Sequence, residues 1–403
     1  MTRFAAPEIK ITDLHQAISA SMTKISLELV ELSMALHADP ELSMDEHRAA
    51  ARISQLLEDH GFSIERGIAG LPTAFQGSVG EDKPVISFLC EYDALPGVGH
   101  GCGHNLIAAG GVGAAIALKE ALGDDLAGTI RCIGTPGEEG KGGKIIELRE
   151  GVFDDVDAAL MFHPGVSTQP WRHATACVDI DIVFHGIAAH AAGSPSQGRS
   201  ALAAVIQLFN GIDSLRQFIP ETSRIHGIIT DGGQAANIVP ERAAANFMVR
   251  ALRSTEVSEL LDRVKAIIEA AALATGTTYE ITAGEVYAER KNNHVIASRW
   301  AAHLQRLGEW VEEPVLRGGT GSSDIGNISL VLPAIHPYLQ IAEPGTPGHS
   351  HAMAAAAGEA PAQERMLHMA EALAAAGGDL LTEPELLEAA RAEFATSEPD
   401  FPA

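Results

Sequence analysis

Apolar positions recur at helical spacing over residues 14–38 and stop ahead of Pro40; they recur again over 46–60, where Gly61 closes the run. Residues 73–79 and 84–90 carry the short apolar runs of buried strands. A glycine-rich loop at 97–103 then leads into an apolar helix over 105–121. A buried strand at 129–135, a helix at 142–150 and a strand at 158–163 continue the alternation. Strand and helix in this rhythm predict an α/β fold, with a mixed, mostly parallel sheet flanked by helices.

The middle of the chain has a different pattern. Val178, Ile180, Ile182 and Phe184 alternate with polar residues over 177–184, as in a strand with one buried face. A helix at 200–212, strands at 225–230 and 243–250, a long amphipathic helix at 255–274 and a strand at 278–287 follow. The order β-α-β-β-α-β predicts a ferredoxin-like domain with an antiparallel sheet. From about 290 the α/β pattern returns, with a helix at 294–307, a strand at 329–332, a helix at 360–375 and a helical tail. The expected organisation is therefore an α/β domain formed by 1–174 and 289–403, with a lid or dimerisation domain inserted at 175–288.

Composition narrows the function. With 28 Lys and Arg against 53 Asp and Glu, the net charge of −25 repels polyphosphates, so a nucleic-acid partner is not expected. No basic block fits an anionic membrane surface. The apolar stretch 106–118 is shorter than the ~20 residues of a membrane span, and the first residues lack the apolar core of a secretion signal. Cys90, Cys102, Cys132 and Cys177 are too few and too scattered for a disulfide framework, which makes a reducing, cytoplasmic setting the expectation.

The candidate chemistry sits in loops that follow strands. In GHGCGHN, Cys102 and His104 stand one glycine apart at the mouth of a strand-to-helix loop, where open α/β sheets bind ligands. A thiolate and an imidazole both suit a borderline cation such as Zn²⁺; a plain glycine-rich turn is the alternative. Glu138 and Glu139 follow the strand at 129–135. They read either as a solvated acidic turn or as a pair in which one holds a metal and the other moves a proton. His163 ends the next strand before Pro164 and Gly165, and either His349 or His351 is available from a distant Gly/Pro loop. The spacings match no zinc-finger pattern, so a catalytic centre assembled from loops is the better reading. Cys90, Cys132 and Cys177 read as core residues.

Several segments together resemble the metal-dependent peptidase family M20, subfamily D: EYDALP at 91–96, GHGCGHN at 99–105, GTPGEEGKGGK at 134–144 and FHPG at 162–165. So do PELS at 40–43 with Glu46, GIAAHAAGSP at 186–195, GGQAANIVP at 232–240 and GSSDIGNIS at 321–329. The form of 91–93 and 321–329 is most similar to the aminobenzoyl-glutamate hydrolase branch. The resemblance implies a zinc-peptidase-like catalytic domain with Cys102, His104, Glu139, His163 and His349 as metal ligands and Glu138 as general base. It implies that His190 of the lid stabilises the oxyanion, often in the partner subunit's site, and that Asn237 and Arg250 hold a substrate carboxylate. The expected cofactor is one or two divalent ions per subunit, Zn²⁺ or Mn²⁺ before Co²⁺ or Ni²⁺. The expected partners are a carboxylate-bearing small molecule and a second copy of the chain, in a homodimer or higher oligomer through the lid.

The reaction expected on these grounds is hydrolysis of a C–N bond, most simply the amide of an N-acyl or N-aryl amino acid or of a dipeptide. Two alternatives use the same residues: hydrolytic deamination of an amino-substituted aromatic acid, and a non-catalytic metal-binding dimerisation protein. The intact Glu138 argues against the second.

Overall fold

The computed structural model describes residues 2–315 and 321–401. These form two compact units: 2–173 with 290–315 and 323–401, and 174–289 with 321–322. The first unit begins with α1 (Asp13–Ala38), α2 (His47–Asp59), β1 (Ser63–Arg66), β2 (Phe75–Val79), β3 (Val85–Cys90), α3 (His104–Leu122), β4 (Thr129–Gly134), α4 (Gly143–Arg149), β5 (Ala158–Leu160) and β6 (His163–Gly165). The second unit consists of β7 (Ala176–His185), α5 (Ala201–Arg216), β8 (Arg224–Asp231), β9 (Arg242–Ala251), α6 (Ser254–Thr275) and β10 (Thr278–Ala283). The chain then returns to the first unit through α7 (His294–Arg306), α8 (Ile325–Ser329), β11 (Ala334–Ile335), β12 (Tyr338–Gln340), α9 (His351–Gly358), α10 (Ala360–Thr382) and α11 (Pro384–Thr396).

The main sheet of the first unit runs β1-β2-β4-β3-β5-β11. β4, β3, β5 and β11 are parallel neighbours, while β2 and β1 add antiparallel strands at one edge. Successive side chains of β3 point to opposite faces. Ile86, Phe88 and Cys90 enter the core shared with α1, α3 and α10, whereas Val85 and Leu89 enter a second core with Ile325 and Ile328 of α8. Both faces are covered, so the strand reads as an apolar run interrupted only by Ser87. Each of these large side chains contributes roughly 1.5–3 kcal/mol by leaving water.

α3 is apolar all round because it has no solvent face along most of its length. By length and composition it is apolar enough to cross a membrane, but here it packs among β3, α1 and α10. Gly111 makes that approach feasible: a Cβ there would lie 2.7 Å from Cys90 Sγ and 2.8 Å from the Leu89 carbonyl oxygen.

The second unit is an antiparallel sheet in the order β10-β7-β9-β8. Its buried face, including Val178, Ile180, Ile182, Phe184, Phe247 and Val249, packs on α5 and α6. This is the ferredoxin-like arrangement the β-α-β-β-α-β pattern predicts.

Three local expectations need correction. The apolar stretch 329–332 is not a strand. Ile325, Ile328 and Leu332 share one buried face at helical spacing, Val331 is exposed, and the strand that follows is β11. The strand expected at 158–163 divides in two: β5 stays in the main sheet, and β6, with Pro164 at its centre, pairs with β12 in a separate two-stranded sheet. The strand expected to reach 287 ends as β10 at Ala283 before Gly284. β1 and α9 are additional; Ser350 caps α9 by accepting from the Met353 amide at 3.2 Å.

Candidate metal centre

Three consecutive parallel strands deliver the site. β3 ends at Cys90 and is followed by Glu91 and Asp93, β4 leads to Glu138 and Glu139, and β5 leads to His163. Cys102 lies in the loop that enters α3, and His104 is the first residue of that helix. These are the carboxyl ends of the strands, where chain direction and loop freedom together make ligand sites in such sheets.

The donor atoms converge. Cys102, His104 and His163 form one group and Cys102, Glu139 and His349 another, with the ligand atoms in each within 4.8 Å of one another. Cys102 is common to both, so its sulfur lies between two candidate ion positions. His104, Glu138 and Glu139 form a third group, which brings Glu138 beside the ligands. His349, not His351, reaches this centre. Its Nε2 is 3.8 Å from Glu139 Oε1, whereas His351 begins α9 and joins none of the described groups. His349 adopts a left-handed backbone (φ 53°), a conformation that costs a non-glycine residue energy and is found preferentially at functional positions.

Hydrogen bonds set the tautomers. His104 Nδ1 donates to the Asp93 carbonyl oxygen (2.9 Å) and faces Asp93 Oδ1 (3.0 Å), which leaves Nε2 buried without a hydrogen-bond partner. His163 Nδ1 donates to the Pro164 carbonyl at 2.6 Å, again leaving Nε2 for a ligand. Asp93 also accepts from the Glu139 amide (2.9 Å) and the Ser43 hydroxyl (2.8 Å), so a single carboxylate orients one imidazole and the Glu139 backbone. Burial alone would raise the Asp93 carboxyl, but the His104 bond and these two donors outweigh it and hold it down at about 2. Glu46 accepts from the Gly137 amide (2.9 Å), from the Met44 amide and from Thr73 Oγ1, and so tethers the Glu138–Glu139 loop.

The protein alone leaves this centre electrostatically unfinished. Burial pushes the Cys102 thiol up to about 12 and lowers His163 to about 4. Burial, followed by the charges of Glu91, Glu139 and Asp324, drives Glu138 well above the carboxylate range. His104 Nε2 and Glu139 Oε1 are buried polar atoms lacking hydrogen-bond partners. A thiol, two imidazoles and a carboxylate around orphaned donor atoms fit a borderline divalent cation.

Asp93→Asn follows as a test of this orientation. The variant is expected to bind the divalent ion about 10–100-fold more weakly in a chelator-competition titration, because the partner of a ligating imidazole sets its direction and basicity. Unchanged affinity would mean that His104 needs no orienting carboxylate.

The lid residues lie in the second unit. His190 Nδ1 accepts from the Gly193 amide (2.9 Å) and the Ala192 amide (3.2 Å), so Nε2 carries the proton and is the donor. His190 is bridged to Ile238, which brings it next to Asn237. Arg250 donates to Ser322 Oγ at 3.0 Å. Within one chain Asn237 and Arg250 are not brought together. Arg250 pairs with Cys177 at one end of β7 and Arg242 with His185 at the other, and the ladder continues outward to Val239 and Ala189. The eight residue-to-residue steps from Arg242 to Arg250 alone span about 27 Å. Their expected grip on one carboxylate therefore does not form within a single chain.

Sequence reasoning missed the supporting residues. Asp93 and Glu91 lie in the EYDALP segment, two residues apart and so on one side of an extended chain, a period-2 signal that was available. Lys144 and Asp324 lie in two of the segments that carry the resemblance, but nothing local marked them as partners. A lysine in a short helix reads as solvated, yet Lys144 is fully buried, with Nζ 2.6 Å from Glu91 Oε1 and 2.8 Å from Asp324 Oδ1.

The chain is similar to several known proteins. The peptidase dimerisation domain of the M20 family matches residues 177–276. The mouse (Mus musculus) Xaa-Arg dipeptidase is 37% identical over 380 residues, covering 90% of this chain and 88% of its own. One of the p-aminobenzoyl-glutamate hydrolase subunits of Escherichia coli K12 is 40% identical over 296 residues, covering 68% of this chain and 62% of its own. In fold, the chain is similar to a Bacillus subtilis dinuclear metal-binding peptidase of the M20 family, with a TM-score of 0.64 at 19% identity, covering 89% of this chain and 99% of that one. Identity at this level across nine-tenths of the chain, with the match to the dimerisation domain, shows that the protein belongs to the M20 family of metallopeptidases, hydrolases of amide C–N bonds.

Proposed function

We propose that this chain hydrolyses the amide bond of a small substrate bearing a free carboxylate, a dipeptide or an N-acyl or N-aryl amino acid, at a centre of two divalent ions that share Cys102. The observation that carries this reading is the pair of ligand triads meeting at one sulfur, with Glu138 beside them. Cys102, His104 and His163 would hold one ion, and Cys102, Glu139 and His349 the other, Zn²⁺ or Mn²⁺ before Co²⁺ or Ni²⁺. Bound there, divalent ions supply Lewis acidity to a carbonyl and lower the pKa of water.

Glu138 accepts the proton of the attacking water and delivers it to the leaving nitrogen. The high proton affinity that burial gives Glu138 suits the first step. His190, with its proton on Nε2, donates to the developing oxyanion, an interaction worth roughly 3–4 kcal/mol in other enzymes. Arg250 and Asn237 are the carboxylate contacts. Because one chain holds them at separate places along its sheet, a shared carboxylate takes one of them from each of two copies, in keeping with a homodimer formed through the second unit. The dipeptidase relative, together with a net charge of −25 that attracts cations, puts dipeptides ending in a basic residue first among substrates.

The test is a product-mass screen of such dipeptides, N-acyl amino acids, aryl-glutamates and amino-aromatic acids, with metal-stripped and metal-restored protein. Cleaved amide products that disappear on chelation and return with Zn²⁺ or Mn²⁺ are expected. Full turnover by the metal-free protein, or ammonia as the released product, would contradict the reading.

A further inference from the structure

Glu91 is not among the five ligands, yet its surroundings are those of one. It is fully buried at the carboxyl end of β3. Lys144 Nζ pairs with Oε1 at 2.6 Å, while Oε2 has no hydrogen-bond partner and lies 3.5 Å from His104 Nε2. That nitrogen is the one His104 turns away from Asp93. Two ligands of one tetrahedral ion, each about 2.1 Å from it, stand about 3.4 Å apart. The gap between Oε2 and Nε2 has this size.

The local charge balance leads to the same place. Glu91, Glu138 and Asp324 bring their carboxylate oxygens within 4.8 Å of one another, and Lys144 supplies a single ammonium to them. Glu91 Oε2 and His104 Nε2, both buried and without a hydrogen-bond partner, face each other across 3.5 Å, which is costly unless a cation lies between them.

We propose that Glu91 is a further ligand of the ion held by His104, binding through Oε2 while Lys144 holds Oε1. This rests on the reading of the Cys102 cluster as a metal centre. It fills the first ion's coordination with a carboxylate that the chain positions before any metal arrives. Lys144 is a positioning residue in this account: it fixes the rotation of the Glu91 carboxylate and leaves one oxygen free.

The experiment is a chelator-competition titration of Zn²⁺ on the intact protein, alongside the visible spectrum of the Co²⁺-substituted form. Wild type, Glu91→Gln, Glu91→Asp and Cys102→Ser are compared, with the melting temperature of each metal-free variant as the control for folding. Glu91→Gln is expected to weaken binding of one ion by at least about 100-fold, a larger loss than an orienting partner gives. Its Co²⁺ d–d bands should change while the thiolate band from Cys102 persists. If Glu91→Gln fails to fold because Lys144 loses its partner, Glu91→Asp is read instead; it keeps the Lys144 charge pair but falls one methylene short of the ion, and the same weakening is expected. Wild-type affinity and an unchanged Co²⁺ spectrum in the folded variant overturn the proposal. If Cys102→Ser loses metal in that same series, the metal centre stands and only the role of Glu91 falls. Absence of binding by the wild type removes the centre itself.

Discussion

Replacing Glu138 with glutamine is expected to lower kcat by about 10²–10⁴-fold while the bound metal and KM stay near their wild-type values. Glutamine keeps the shape of the side chain and removes its ability to take a proton. Glu138 is not one of the atoms in either Cys102 triad, so ion binding does not depend on it directly. Its buried position close to Glu91, Glu139 and Asp324 is costly for a carboxylate and raises its proton affinity, a cost that a structural loop residue would have no reason to bear. The check pairs steady-state kinetics with metal analysis of the same sample. A variant with full metal and full turnover would show that another group moves the proton. A variant that loses both would show that Glu138 is a ligand rather than a base.

The second large effect concerns stability, away from the centre. Asp379 on α10 accepts from His15 Nε2 of α1 (2.8 Å) through Oδ1, and from His303 Nε2 (2.7 Å) and Arg299 Nη1 (3.0 Å) of α7 through Oδ2. The Thr12 amide donates to His15 Nδ1 at 3.0 Å, which fixes the tautomer that donates to Asp379. One carboxylate therefore joins three helices. Asp379→Ala leaves two buried imidazole N–H groups without acceptors, although Arg299 keeps Glu383 at 2.9 Å. A loss of about 3–5 kcal/mol is expected, read by urea denaturation at neutral pH, because a broken buried polar network leaves its remaining members unpaired.

The pH dependence of this effect has a definite sign. Burial would raise the Asp379 carboxyl, but the hydrogen bonds of His15 and His303 outweigh it and hold it far below the ordinary range. The stability it supplies is thus fully present above the unfolded aspartate pKa of about 4 and is lost as the pH falls from there towards the folded value. The gap between wild type and Asp379→Ala should accordingly shrink in acid. A gap that widens on acidification would mean that the carboxylate is not the stabilising form.

The fold was legible where burial is simple. β7 and β9 alternate because one face packs on helices, and β3 is apolar apart from Ser87 because both faces are covered. It was illegible where the same residues suit two periods. Residues 325–332 are rich in branched apolar side chains, and only the spacing of Ile325, Ile328 and Leu332 reveals a helical face. β6 and β12 escaped because each is three residues long, too short for a period to show.

For the centre, the residues that carry metal chemistry stood out because cysteine, histidine and paired glutamates are conspicuous in glycine-rich loops. Those that support them did not. Asp324 and Lys144 act only through partners tens to hundreds of residues away, and pairing across such distances leaves no local trace. The lid residues show the opposite failure. Asn237 and Arg250 are close in sequence, yet the length of the extended strand β9 between them separates them, and only strand geometry discloses it.

The most direct measurement is anomalous X-ray diffraction from crystals grown with Zn²⁺ or Mn²⁺, collected on both sides of the metal absorption edge. The account predicts two anomalous peaks, one within bonding distance of Cys102, His104 and His163 and the other of Cys102, Glu139 and His349, with the Cys102 sulfur touching both. Ions bound elsewhere, with Cys102 contacting neither, would contradict it.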